Sequence, residues 1–292
     1  MRILLTNDDG IHAPGIAAIH HALTGNADTA PHTIQTHTGM LPIACEPMRE
    51  VWTVAPLTAQ SATSHGVTFH EPLMVKPVTI DEHMQGIAVD ARPADCVKLA
   101  LTCLWPERFG KGTRPDLLLS GLNAGANCGI NHIYSGTVAA ALEGAFLGVP
   151  SIALSLMIGT HEPDFLCAAH HARTALNTIL EQGLPDPHTC LSINIPPCSR
   201  DDDARYEPKP MKVCPMNTHA LRDSYTQHTN PAGDIYYWAS GSGLDFHNTN
   251  PDSDVHELFA GAITITPLKY DLTNHTQLEH WKRALDTHAS SM

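Results

Sequence analysis

The sequence predicts an α/β protein, a mostly parallel sheet flanked by helices and followed by a hairpin-rich C-terminal extension. Three observations predict it. Short apolar runs, the signature of strands buried on both faces, recur at Met1–Thr6, Val51–Ala55, Asp116–Ser120 and Ser151–Leu156. Segments of helical periodicity alternate with them, as in βαβ units. Beyond about Arg205 the texture turns aromatic and turn-rich, with IYYW at 235–238 and AITITP at 262–267, which fits antiparallel hairpins. Residues 1–204 are therefore expected to form the α/β core, and 205–292 an extension packed on it.

The elements follow in order. Met1–Thr6 is apolar at Met1, Ile3, Leu4 and Leu5 and runs into Asn7-Asp8-Asp9-Gly10. Ile11–Leu23 carries Ile16, Ile19 and Leu23 at helical spacing, started by Pro14-Gly15 and stopped near Gly25. Asn26–Glu50 is polar, Pro-containing and irregular, an excursion on the surface. Val51–Ala55 is a strand ended by Pro56, and Thr58–Thr68, rich in small hydroxyl residues, is the loop after it. Ala94–Leu104 reads as a helix begun at Pro93, with Cys96, Leu99, Ala100 and Cys103 inward. Asp116–Ser120 precedes the Gly/Asn-rich Gly121–Asn131. Thr137–Leu147 is a helix closed by Gly148 and Pro150, and with the strands around it makes a right-handed βαβ unit over 116–156. Pro163–Leu180 is amphipathic, Leu191–Ile195 a further strand, and Asn274–Met292 a terminal helix or a frayed end.

Composition excludes several classes. Thirty acids against 17 bases give a net charge of −13, which argues against a broad basic surface for duplex nucleic acid. A small phosphate substrate stays compatible, because a bound divalent cation inverts the local field. The longest apolar runs, such as Ala139–Leu142 and Ile152–Leu156, are too short to span a bilayer. Leu4-Leu5 gives way at once to Asp8-Asp9, with no apolar leader, so a cytoplasmic location is expected. The eight cysteines show no CxxC and no regular spacing, the pattern of buried reduced thiols. His32 and His37, with Cys45 nearby, offer a zinc site only if a loop brings them together.

The chemistry concentrates at strand ends. Adjacent carboxylates after a buried strand raise each other's proton affinity or require a cation. In open α/β sheets, Rossmann-like ones included, the crevice outside the strand carboxyl ends is where ligands bind. If the strands are parallel, Asp8 and Asp9, the Ser61 loop and the Gly121-Leu122-Asn123 turn share one edge. Two carboxylates, a hydroxyl and an amide carbonyl suit Mg²⁺ or Mn²⁺. Tyr134-Ser135-Gly136-Thr137 opens the helix that ends at Leu147; Ser135 can cap it, and the free N–H groups and dipole there favour an anion. A metal on one side and a helix start on the other would bracket one phosphoryl group. Asn127, Ser135, Gly136 and Thr137 are the expected phosphate and substrate contacts. Asp8 and Asp9 are the catalytic candidates, with Asp9 orienting or deprotonating the attacking water.

MRILLTNDDGIHAPGI at the start, PADCVKLAL at 93–101 and SGLNAGANCGINHIYSGTVAAALEGAFLGVPSIALS at 120–155 resemble the SurE family of metal-dependent nucleotidases, as do YYW at 236–238, DSDV at 252–255 and TPLKYDLT at 266–273. The resemblance covers nearly the whole chain. It implies an α/β core with a hairpin-bearing C-terminal part often exchanged between subunits, hence a homodimer or homotetramer. It implies phosphatase action on nucleoside 5′- and 3′-monophosphates, sometimes on short polyphosphate, with one divalent cation per subunit held at positions matching Asp8, Asp9, Ser61 and Asn123. The departures are Ala62 where the family has glycine after the serine, which leaves Ser64 as a rival ligand, the longer 28–50 segment, and Arg92 in place of a small residue before Pro93.

Rival readings are an exopolyphosphatase or broad phosphomonoesterase, and a non-catalytic nucleotide-binding protein. A haloacid-dehalogenase-type phosphatase wants DxD spacing rather than adjacent acids, and no GxGxxG follows a candidate strand. Asp95 reads as a helix-start residue. His12, His65 and His132 each sit near a motif, yet solvated or packed is the simpler reading of each. IYYW reads as hairpin core before base-stacking platform.

Overall fold

The computed structural model describes residues 1–25, 33–36, 39–42, 50–202, 204–241 and 243–289. In chain order these form β1 (Arg2–Thr6), α1 (Pro14–Thr24), the strand pair β2 (Thr33–Thr36) and β3 (Gly39–Pro42), β4 (Glu50–Pro56), β5 (Met74–Thr79) and β6 (Gln85–Asp90). Then come α2 (Pro93–Leu99), which runs through a π-helical turn at Ala100–Leu104 into α3 (Trp105–Phe109), β7 (Leu117–Ala124), a 3₁₀ turn at Gly129–Ile133, α4 (Gly136–Phe146), β8 (Ser151–Leu156), α5 (Phe165–Glu181) and β9 (Cys190–Ile195). The chain closes with β10 (Met211–Val213), β11 (Ser224–Thr229), β12 (Ile235–Ser240), α6 (Asp254–Phe259), β13 (Ile263–Leu268) and α7 (His275–Ala289). The His32, His37 and Cys45 grouping lies outside the described residues.

One sheet organises the molecule, in the order β10-β13-β9-β8-β7-β1-β4-β6-β5. The six strands from β9 to β6 in that order run parallel; five coincide with strands expected from the sequence, and β6 is not among them. β1 lies centrally, between β7 and β4, so the chain leaves it in one direction and returns on its other side. That arrangement is a topological switch point, where a crevice opens.

Alternation along β1 sorts the core into two layers. Ile3 and Leu5 pack with Ile16, Ile19 and Leu23 of α1 and with Ala168, Ala172 and Leu176 of α5. Leu4 faces the other way, onto Cys96 and Val97 of α2 and Val138 and Ala141 of α4. Helices thus cover both sheet faces, the condition a parallel sheet requires.

The C-terminal extension departs from expectation in two places. Ile263–Leu268 makes no hairpin of its own; β13 joins the central sheet, antiparallel to β9 and parallel to β10. Its alternation misleads because Thr264 and Thr266 are as buried as Ile263. β11 and β12 do form an antiparallel hairpin, yet IYYW is no hairpin core, since every residue of both strands is exposed. A two-stranded ribbon has no second layer of its own to bury a face against.

His20, in α1, is buried with its Nδ1 lacking a hydrogen-bond partner among the described residues. Burial pulls its imidazole from 6.5 down to about 4. The unfolded chain therefore binds this proton first as pH falls, so stability present above about pH 6.5 is lost toward pH 4, by about 3 kcal/mol from this residue. Urea unfolding of wild type and His20→Gln at pH 7.5 and 4.5 should show the smaller acid loss in the variant. Equal losses would remove His20 from the account.

Candidate active site

Register brings the polar turns together. Thr6 of β1 pairs with Ser120 of β7, so residues 8 and 9 leave the sheet beside residues 122–124. The Ala124 N–H donates to Asp9 Oδ2 at 2.8 Å, which ties the Asn123 turn to the carboxylate pair. On the other flank, the Gln60 N–H donates to the Asp8 carbonyl at 2.7 Å and brings Ser61 alongside. The result is a cleft of about 360 Å³ whose lining includes Asp8, Asp9, Ser61, Asn123, Asn127 and Ser135.

The hydrogen bonds decide which atoms face the cleft. Asn123 Nδ2 donates to the Gly125 carbonyl at 2.7 Å, which leaves the amide oxygen as the free group. Asp9 commits one oxygen to Ala124 and keeps the other. Thr137 donates its hydroxyl to Asp8 Oδ1, and its backbone holds the same carboxylate. Thr137 is fully buried and outside the cleft lining, its hydroxyl turned to Asp8. Gly136 is likewise outside the lining. A Cβ there would sit 2.9 Å from Asp8 Oδ2, so its absence is what lets α4 begin against that carboxylate. Ser135 caps α4, its hydroxyl accepting from the Val138 N–H at 3.0 Å.

Asn127 is clamped from β8 and β9. Its Nδ2 donates to Ser155 Oγ at 2.9 Å, its N–H donates to Asn194 Oδ1, and Asn194 Nδ2 donates back to its carbonyl. Asn194, buried in LSINI, supports the site and gives no sign of that in sequence, since only the strand pairing carries it there.

The loop after β4 places the two serines differently. Ser61 lines the cleft, whereas Ser64 donates its hydroxyl to the Ile133 carbonyl at 2.7 Å and lies outside it. Ala62 adopts φ +56°, the left-handed region that glycine occupies without penalty, so alanine is the costlier residue at this point of the loop.

Other sequence candidates have structural duties. Asp95 accepts from the Thr68 N–H and hydroxyl, both at 2.8 Å, and joins the α2 cap. Arg92 turns to the Val67 carbonyl and stays out of the cleft. His65 pairs with the buried Glu143 of α4 at 2.8 Å, which Lys98 also meets at 3.1 Å. These two partners hold the Glu143 carboxyl below its usual range against the opposing effect of burial. His132 is buried against the Gly129 carbonyl, and His12 is exposed; neither lines the cleft.

Electrostatics point to a cation. Burial, with Asp9 adding to it, lifts the Asp8 carboxyl to about 6 despite the Thr137 hydrogen bonds. Burial also raises Asp9. Among the described residues lining the cleft there is no lysine or arginine to offset them. The donors are all hard oxygens, the set that fits a divalent Mg²⁺-like ion and not a thiolate-preferring one.

Comparison with known proteins identifies the family. A family model described as "Survival protein SurE" matches residues 3–223. A protein named 5′-nucleotidase SurE from Heliobacterium modesticaldum is 38% identical over 280 residues, covering 96% of this chain and 90% of that one. Its namesake from Symbiobacterium thermophilum is 38% identical over 282 residues, covering 96% and 97%. Among solved structures, the SurE protein of Aquifex aeolicus superposes with a TM-score of 0.73 at 32% identity, covering 97% of this chain and 99% of that one.

Proposed function

Because this chain belongs to the SurE family, we propose that it is a metal-dependent phosphatase that hydrolyses nucleoside 5′- and 3′-monophosphates to nucleoside and phosphate. The observation that carries the reading is the meeting of Asp8, Asp9, Ser61 and the Asn123 amide in one cleft beside the start of α4.

Asp8, Asp9, Ser61 and Asn123 would hold one Mg²⁺ or Mn²⁺ per subunit. When bound, such an ion neutralises phosphate charge and acidifies water. Asp9, through its uncommitted oxygen, orients the attacking water and takes its proton as the new P–O bond forms. The ester P–O bond breaks opposite, and the leaving nucleoside oxygen takes a proton from solvent. Asn127 and Ser135, on the cleft wall, bind the phosphoryl oxygens, while Gly136 and Thr137 act through Asp8. Tyr134, Ile158 and Leu244 extend the same lining with apolar surface, which favours a nucleoside over a polyphosphate tail.

We assign oligomerisation to the 205–292 extension and expect a homodimer or homotetramer. Its support is the β11–β12 hairpin, which offers Tyr225, Ile235, Tyr237 and Trp238 to solvent beside open strand edges. Among the described residues no helix is long and apolar enough to cross a membrane. We take the location to be cytoplasmic, in keeping with the free thiols of the described cysteines.

The test is phosphate release from AMP, GMP, 3′-AMP and tripolyphosphate after metal stripping, with Mg²⁺ or Mn²⁺ restored. Turnover of the nucleotides should vanish on stripping and return with metal, exceeding tripolyphosphate at least about tenfold in kcat/KM. Undiminished turnover after stripping rejects the metal role. A preference for tripolyphosphate supports the exopolyphosphatase reading instead, and no turnover of any phosphomonoester supports the non-catalytic one.

A further inference from the structure

On the α1 side of the sheet, α5 and the chain leaving β9 bring together Cys167, His171 and Cys198. Cys167 and His171 are four residues apart and so share one helix face. Cys198 reaches them from the segment after β9. All three side chains are buried, and their ligand atoms lie within 4.8 Å of one another. A tetrahedral zinc ion has Zn–S near 2.3 Å and Zn–N near 2.0 Å, which puts its ligand atoms roughly 3.5–3.8 Å apart. The observed spread is a small side-chain adjustment away.

The backbone around the cluster is tied into one frame. Asp164 caps α5, its Oδ1 accepting from the Leu166 and Cys167 N–H groups at 3.1 Å. The Asp164 N–H donates to the Cys198 carbonyl at 2.8 Å. Its second oxygen accepts from Arg205 Nε at 3.0 Å. The Arg205 carbonyl completes the frame, 3.1 Å from Cys167 Sγ and 2.7 Å from His171 Nε2. Two thiols, an imidazole and a carbonyl oxygen therefore converge from segments whose relative positions are fixed before any ion arrives, which is the preorganisation a metal site needs.

We propose that Cys167, His171 and Cys198 form a structural zinc site, with the Arg205 carbonyl marking the fourth corner. On binding, each thiol gives up its proton and its weak hydrogen bond, to the Arg205 carbonyl for Cys167 and to the Pro196 carbonyl for Cys198. His171 ligates through neutral Nε2, its proton moved to Nδ1, and so gives up its 2.7 Å hydrogen bond to the Arg205 carbonyl. Two thiolates and one dication leave the buried site without net charge. Sulfur donors select zinc and discriminate against Mg²⁺ and Mn²⁺, whereas the oxygen-lined cleft does the reverse, so one chain sorts two kinds of ion by donor type. The zinc would staple the segment after β9 to α5.

Titration of the full-length, metal-stripped protein with Co²⁺ in excess Mg²⁺ tests this without reading activity. A thiolate-to-cobalt charge-transfer band should saturate at about one equivalent per chain and be reversed by Zn²⁺. The band should persist in Asp9→Asn and weaken at least about tenfold in apparent affinity in Cys198→Ser. Native thiol labelling of wild type supplies a check independent of the variants' folding, because Zn²⁺ should slow reaction at Cys167 and Cys198. Absence of the band in wild type overturns the proposal. So does a band indifferent to Cys198→Ser, or a Cys167–Cys198 disulfide that accounts for both sulfurs in freshly reduced and repurified protein.

Discussion

Asp8→Asn should lower kcat/KM on nucleoside monophosphates by about 10³-fold or more while making the metal-free protein more stable at neutral pH. The two effects have one cause. Asp8 is 4% exposed, and burial lifts its carboxyl from 3.8 to about 6. A group whose folded value is raised stabilises the native state below its unfolded value and loses that contribution as pH climbs through the folded value. Metal-free wild type therefore gives up about 3 kcal/mol between roughly pH 4 and pH 6 on account of this residue. Asparagine carries no charge to desolvate and still offers an oxygen to Thr137. At pH 8 in chelator the variant should unfold at higher urea than wild type; adding Mg²⁺ should stabilise wild type and leave the variant unmoved. Asp9→Asn should lose comparable activity. Activity within tenfold of wild type, or a metal-free Asp8→Asn protein weaker than its parent, would contradict this account of the cleft.

Gly136→Ala carries the second large effect, and here two simple expectations oppose each other. Alanine is the better helix former by up to about 1 kcal/mol, so propensity alone predicts a gain. The added Cβ, however, would stand 2.9 Å from both Cβ and Oδ2 of Asp8 and 3.2 Å from Pro93 Cγ. The softest of these neighbours is the Asp8 side chain, so the carboxylate moves. A displacement of about 1 Å at a reacting centre costs on the order of 10²-fold. The expected outcome is a folded protein with a melting temperature near that of wild type and kcat/KM reduced about a hundredfold. Kinetics within threefold of wild type would mean that the helix start and Asp8 are less tightly joined than their contact distances indicate.

Legibility in sequence followed locality. Asp8 and Asp9 stand out because a buried strand runs directly into them, and Asn123 because a strand ends in Gly121-Leu122-Asn123. The parallel core was readable for the same reason, since its apolar runs need no partner to be recognised. Distance in the chain hid the rest. Thr137 looks like a phosphate contact at a helix start, but its hydroxyl belongs to Asp8, 129 residues earlier. β5 and β6 are absent from the strands read in sequence: β6, parallel to β4, is a six-residue run with polar ends, and β5 is largely exposed at the sheet edge and carries Lys76 and Pro77, which blur the strand signal. Ile263–Leu268 has an alternating pattern whose polar half is buried, so a core strand looked like a ribbon. Cys167, His171 and Cys198 carried no zinc signature in sequence, because the third member comes from a different segment and no short spacing announces it.

β1 is made first and belongs in the middle. Its neighbour β4 emerges within the next fifty residues or so, but β7, on the opposite side, starts only at residue 117. At ordinary synthesis rates of 5–20 residues per second that is a wait of roughly 5–20 s. Until then the side of β1 that pairs with β7 has no strand partner to satisfy its backbone groups. The cleft that joins Asp8 and Asp9 to Asn123 can therefore form only after residue 124 has been made.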